Sequence, residues 1–178
     1  MDNRNEYAYQ AFYCEENVWQ FLKEKAAHNS DDYAAVFITN AGRHVALAQQ
    51  RNGDEQGFVM WDYHVVALSY QPTPLVWDFD TRLPWPCPAI DWLDQTFSPF
   101  RFAPEIYQPK FKICKAMTVL QHFQSDRRHM RCETGQWLQP PPDWPTIGRE
   151  HNLDAWLDLS SNKLGMSYEL NALIGQLG

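Results

Sequence analysis

The stretch FVMWDYHVVALSY, residues 58–70, decides the fold. It is apolar on both faces, as expected of a strand buried in the middle of a sheet. Just before it, YAAVFITN (33–40) is a short β-rich run ended by an NAG turn. RHVALAQQ (43–50) is expected to return beside that run as its hairpin partner. After it, QPTP stops the strand and LVWDFDT (75–81) resumes as another. Upstream, residues 15–28 place Val18, Phe21, Leu22 and Ala26 on one face between charges, which is the spacing of an amphipathic helix. Downstream, LPWPCP is irregular because proline lacks the backbone donor. AIDWLDQTF and AMTVLQHF read as helices and KFKICKA as a strand. WLQPPPDWP reads as an extended polyproline-like surface loop, and LDAWLDL and SYELNALIGQL read as C-terminal helices. The expectation is one α+β domain over residues 1–178, an α/β sandwich with a central, mainly antiparallel sheet flanked by helices.

At 178 residues with 44% hydrophobic side chains and 8 Trp, the chain has enough apolar surface to build a core, which excludes a disordered tail. Fifteen basic against 22 acidic residues give a formal charge of -7, a poor match to nucleic acid. The one basic cluster, SDRRHMR (125–131), is short. No signal-peptide profile opens the chain and no window approaches a membrane span, so a soluble cytoplasmic monomer is expected, with the nucleus open to it in a eukaryote. No nucleic-acid or membrane partner is expected. Cys14, Cys87, Cys114 and Cys132 lack pairing spacings and are read as thiols. There is no CxxC, and His129 with Cys132 supplies only half a zinc site, so no metal is expected.

Thiol catalysis needs a thiolate, an imidazole to move protons and a group to orient it. Cys14 stands at a helix start, where free N–H groups and the macrodipole favour a thiolate and can hold an oxyanion. Glu15 and Glu16 oppose that charge, so help must come from a histidine. Free cysteines are also among the most buried residues, which leaves a packing role open for Cys14. His64 in WDYHVV is the polar residue in an apolar strand, either a proton carrier or a core histidine bonded to Asp62 or the backbone. Asp62, Asp78 and Asp80 are all spaced to orient it, and spacing does not choose among them. His28, His44, His122 and His151 read as solvated. His129, in a dense polar cluster, reads as a loop-locking or capping residue.

Together, YCEENVW, YAAVFITN, WDYHVV, DFDT with LPWPC, and FQSDRRHM followed by PPP resemble the protein N-terminal glutamine amidohydrolase family, in the same order from about Tyr13 to about Pro145. The resemblance implies a papain- or transglutaminase-like scaffold, with a catalytic Cys at a helix N-terminus and a Cys-His-Asp triad. By motif these are Cys14, His64 and Asp78. It implies deamidation of N-terminal glutamine in proteins or peptides, with release of ammonia and no metal or organic cofactor. Phe79 stands where the family commonly has Leu between the two aspartates. A free amino terminus needs an acceptor for its ammonium, and Glu15, Glu16 and Asp62 are the candidates. The rival expectations are a papain-like protease, a transglutaminase-like acyltransferase, or an adaptor that binds peptide termini without turnover.

Overall fold

The computed structural model describes residues 3–27 and 29–178. Helix α1 (Cys14–Lys25) leads into strands β1 (Tyr33–Thr39), β2 (Val45–Leu47), β3 (Val59–Trp61), β4 (His64–Ser69), β5 (Leu75–Trp77) and β6 (Cys87–Pro88). Then follow α2 (Ala89–Phe97), β7 (Lys110–Lys115), α3 (Ala116–His122), α4 (Leu153–Leu157), β8 (Met166–Glu169) and α5 (Leu170–Leu177). Six strands form one sheet in the order β6-β5-β4-β1-β7-β8, each neighbouring pair antiparallel. No helix among the described residues is long and apolar enough to cross a membrane.

The two-faced apolar runs explain this order. Ala35 and Phe37 of β1 with Val65 and Ala67 of β4 meet Val18, Phe21 and Leu22 of α1, and Val119 and Trp156 close that layer from α3 and α4. On the opposite face Ala34, Val36, Ile38, Val66 and Leu68 meet Trp92, Leu93 and Phe97 of α2 and Leu173 of α5. Each large side chain removed from water in this way contributes about 1.5–3 kcal/mol. A strand with both faces occupied belongs in the centre, which is where β1 and β4 lie. The α+β sandwich with a central antiparallel sheet is therefore the fold.

Four local expectations need correction. β1 does not pair with β2; its neighbours are β4 and β7, and β2 pairs with β3 in a separate ribbon. The turn forms as expected, but the Asn40 amide clamps the His44 backbone in both directions, at 2.8 and 3.0 Å, and turns the chain away from the sheet. Residues 58–70 are two strands, broken at Asp62 and Tyr63, where Asp62 Oδ1 accepts the Tyr63 N–H at 3.0 Å. The helix expected from SYELNALIGQL begins only at Leu170, because the preceding residues extend as β8 along β7. Residues 137–145 form a loop as expected, but Pro142 is buried rather than on the surface.

Candidate active site

Cys14 is the first residue of α1, and the Tyr13 carbonyl before it accepts the N–H groups of Glu16 and Asn17 at 3.1 and 2.9 Å. The leader is fixed against this helix by Asn17, whose side chain donates to the Gln10 carbonyl and accepts the Gln10 N–H. Phe12 sits at φ +71°, a left-handed conformation unusual for a bulky residue, with its ring edge-on to Trp61. The Val65 backbone N–H, next to His64 in sequence, acts on the Cys14 sulfur in the sense that favours its thiolate. Burial pushes the Cys14 thiol well up, Glu15, Asp80 and Asp62 add to this, and the Val65 N–H works against it.

His64 opens β4, and its Nε2 lies 2.9 Å from Asp78 Oδ1. Asp78 follows the end of β5 and is fully buried. Its carboxylate also accepts the Asp80 N–H at 2.9 Å, Gln50 Nε2 at 3.0 Å and the Trp92 indole N–H at 3.2 Å. Burial would push such a carboxyl up, but His64 and these donors hold it below the ordinary range. Burial likewise works against a charged His64, yet the Asp78 carboxylate outweighs it, aided by Asp80 and Glu15, and raises the imidazole pKa. With Nε2 committed to Asp78, Nδ1 is the nitrogen left for the cavity.

Of the three carboxylates spaced to orient His64, Asp78 makes the contact. Asp80 is held instead by the Tyr9 hydroxyl at 2.6 Å and Asn52 Nδ2 at 3.1 Å. Burial, then Asp78, leaves its pKa raised despite the opposing His64. Asp62 is exposed, outside β4, and turned to the Tyr63 N–H. Phe79 faces the core between the two aspartates, packed on Phe21 and Trp85, so the apolar exchange at that position anchors the segment from behind. His64, Asp78 and Asp80 also bring one ligand atom each within 4.8 Å of one another. Asp78 already accepts four donors, and no metal role is assigned to the group.

Cys14, His64, Asp62, Asp80, His129 and His151 line one cavity of about 290 Å³, with Phe12, Trp61 and Leu138 on its apolar walls. Glu15 and Glu16 do not line it; both are buried. Glu16 receives Arg127 in a two-pronged pair, Nε at 2.9 Å and a terminal nitrogen at 2.7 Å, and also the Trp144 indole N–H at 2.9 Å. Arg127 further donates to the carbonyls of Pro142, Trp144 and Pro145, so this pair straps the proline-rich loop to the start of α1. Glu15 accepts the Tyr63 hydroxyl at 3.1 Å, and its carboxylate lies 3.7 Å from Cys14 Sγ and 3.3 Å from His129 Nε2.

Two histidines differ from the sequence reading. His129 and His151, both half-buried, stack at 5.0 Å on the cavity wall rather than standing apart on the surface. His129 comes from a single 3-10 turn, Arg128–Met130, and His151 from a loop, both remote in sequence from Cys14 and too short for periodicity to carry a signal. His44 and His122 are exposed, and His28 lies outside the described residues. Gln50, Trp92, Tyr9 and Tyr63 were also hidden: each reads as packing or turn chemistry until its polar atom meets a carboxylate.

Comparisons with known proteins support a hydrolase that acts on an amide. The sequence model of the N-terminal glutamine amidase family matches residues 9–177. A protein from Drosophila willistoni named protein N-terminal glutamine amidohydrolase is 38% identical over 94% of this chain and 86% of its own. Proteins of the same name from Oryza sativa subsp. indica and Bos taurus are 36% and 34% identical, over 84% and 81% of this chain and 71% and 72% of their own. With a match from Tyr9 to Leu177 that takes in every cavity-lining acid and imidazole described above, the chain belongs to the N-terminal glutamine amidase family.

Proposed function

We propose that this chain, as a single catalytic domain over residues 1–178 and a monomer, hydrolyses the side-chain amide of an N-terminal glutamine in proteins or peptides to give glutamate and ammonia. The observation that carries the reading is the shared cavity of Cys14 and His64, with Asp78 bound to the far nitrogen of His64. The name of the relatives supports the substrate.

His64 Nδ1 takes the proton from the Cys14 thiol as the sulfur attacks the carboxamide carbon, and Asp78 stabilises the imidazolium that forms. The free N–H groups at the start of α1 receive the developing oxyanion. Collapse of the tetrahedral species breaks the C–N bond, His64 gives its proton to the leaving nitrogen, and ammonia departs from a glutamyl thioester. Water, deprotonated by His64, attacks the thioester; the C–S bond breaks, and the thiol and a γ-carboxylate are released. No metal or organic cofactor enters this sequence.

Of the three acids considered for the substrate ammonium, Asp62 fits best. It is the exposed one on the cavity wall, whereas Glu16 is taken up by Arg127 and Trp144, and Glu15 lies behind the wall against Tyr63 and His129. A fixed spacing from Asp62 to Cys14 serves as the ruler that rejects asparagine, since one methylene of apolar contact discriminates by only about 1–3 kcal/mol. The bound ammonium also offsets part of the acidic field that Glu15, Asp80 and Asp62 add to burial in raising the Cys14 pKa.

Ammonia release from a Gln-initiated peptide, its N-acetylated form and an internal-Gln peptide tests this reading. Release from the first alone is expected. Equal release from all three contradicts the terminal specificity, peptide-bond cleavage makes the chain a protease, and indifference to Cys14→Ala makes it an adaptor.

A further inference from the structure

Glu15 is buried beside the proposed nucleophile, and one of its oxygens is poorly provided for. Oε2 accepts the Tyr63 hydroxyl at 3.1 Å and lies 3.7 Å from Cys14 Sγ, but Oε1 has no hydrogen-bond partner among the described residues. A buried carboxylate oxygen without a donor is costly unless a cation faces it. The group that faces it is His129 Nε2, at 3.3 Å, which is ion-pair distance although the angle is poor for a hydrogen bond. The same nitrogen lies 3.4 Å from the Tyr63 oxygen, so the three side chains close into one cluster.

When Cys14 loses its proton to His64, a second negative charge arises 3.7 Å from Glu15. Two adjacent carboxylate-like charges in a dry site oppose each other strongly. We propose that His129 acts on the nucleophile through Glu15, its imidazolium form neutralising that carboxylate so that the Cys14 thiolate can form. His129 is on this account a positioning residue, and the inference rests on the reading of Cys14 as nucleophile.

The other charged groups around His129 leave it that role. His151 stacks on it at 5.0 Å, and burial together with His129 itself lowers the His151 pKa, which makes His151 the neutral member of the stack. In its own segment Asp126 is engaged by Arg128 at 2.5 Å. Across the cavity Arg43 is paired with Asp154 at 2.8 Å, Asp80 is held by Tyr9 and Asn52, and Asp62 stands at the exposed wall.

The test measures the rate of Cys14 alkylation by iodoacetamide, read at that residue by mass spectrometry between pH 5 and 9. His129→Gln is expected to slow alkylation about tenfold at pH 7 and to move the profile up by about one unit, since a unit of thiol pKa is a factor of ten. Glu15→Gln is expected to speed it, and Glu15→Gln with His129→Gln to match Glu15→Gln alone, because His129 then has nothing to neutralise. Equal slowing by His129→Gln in both backgrounds, or no slowing in either, overturns the proposal. His129→Asn, with a smaller side chain, serves as the second variant with the same expectation if His129→Gln folds poorly. Ammonia release from a Gln-initiated peptide, followed in the same alkylated samples, keeps the two readings apart. Turnover that survives alkylation of Cys14 sinks the nucleophile assignment, whereas turnover lost on alkylation with no His129 dependence sinks only the role of His129.

Discussion

Replacing Arg127 with Met removes the partner of a carboxylate that has no access to solvent. Glu16 is 0% exposed, and of its donors only the Trp144 indole N–H would remain. Leaving a buried charge uncompensated costs about 3–5 kcal/mol. In a chain of this size each kcal/mol shifts the melting midpoint by about 2–4 °C, so the loss is roughly 6–20 °C. Glu16→Leu should cost less, because the guanidinium keeps the carbonyls of Pro142, Trp144 and Pro145 at 3.3, 2.8 and 3.4 Å and stays a charged group with acceptors. The double variant, which buries no unpaired charge, should be more stable than Arg127→Met alone, held below wild type mainly by loop carbonyls that lose donors at about 1 kcal/mol each. Urea unfolding followed by tryptophan fluorescence gives the three values, and an unchanged m-value shows that the denatured state is the same. An Arg127→Met penalty under about 1 kcal/mol, or a larger penalty for Glu16→Leu, would refute the strap between α1 and the proline-rich loop.

Further outcomes concern the cavity and the sheet. Asp78→Asn should reduce kcat about ten-thousandfold with little change in KM, and Asp80→Asn much less, by steady-state ammonia release; the reverse order would put the orienting role on Asp80. Asp62→Asn should raise KM for Gln-initiated peptides about ten- to hundredfold and leave kcat near wild type, and a pure kcat effect would contradict ammonium binding there. The His64–Asp78 pair should make a bell-shaped contribution to stability. The raised His64 pKa stabilises below 6.5 and is lost as pH rises through the folded value, and the lowered Asp78 pKa stabilises above 3.8 and is lost as pH falls through its folded value. The melting-temperature difference between wild type and His64→Gln should therefore be largest between those two pH values and shrink on either side. Gly165→Ala should destabilise by about 1–3 kcal/mol, because a Cβ there would meet the Ile113 carbonyl and lie 2.6 Å from Cys114 Sγ.

Burial on both faces of β1 and β4 was written in the apolar runs 34–38 and 65–68, and the buried face of α1 in the spacing of Val18, Phe21 and Leu22. What such runs do not name is a partner: β1 is apolar enough to pair with anything, and the three-residue β2 was a poor match for its seven residues. His64 stood out because a polar residue interrupted an apolar strand, and Cys14 because it opened a helix. Glu15 and Glu16 misled for a physical reason. First-turn acids normally sit in solvent, and only tertiary structure supplies the Arg127, Trp144, Tyr63 and His129 that bury them. Gln50, from the loop after β2, and Trp92, from α2, hold Asp78, a relation no local pattern encodes.

The central claim is that Cys14 turns an N-terminal glutamine into glutamate through an acyl-enzyme. Mass spectrometry of a Gln-initiated peptide after incubation with wild type and with Cys14→Ala tests it most directly. A gain of about one mass unit with wild type, confined to the first residue and lost with Cys14→Ala, is the predicted result. The same gain with Cys14→Ala, or no gain with either, would contradict it.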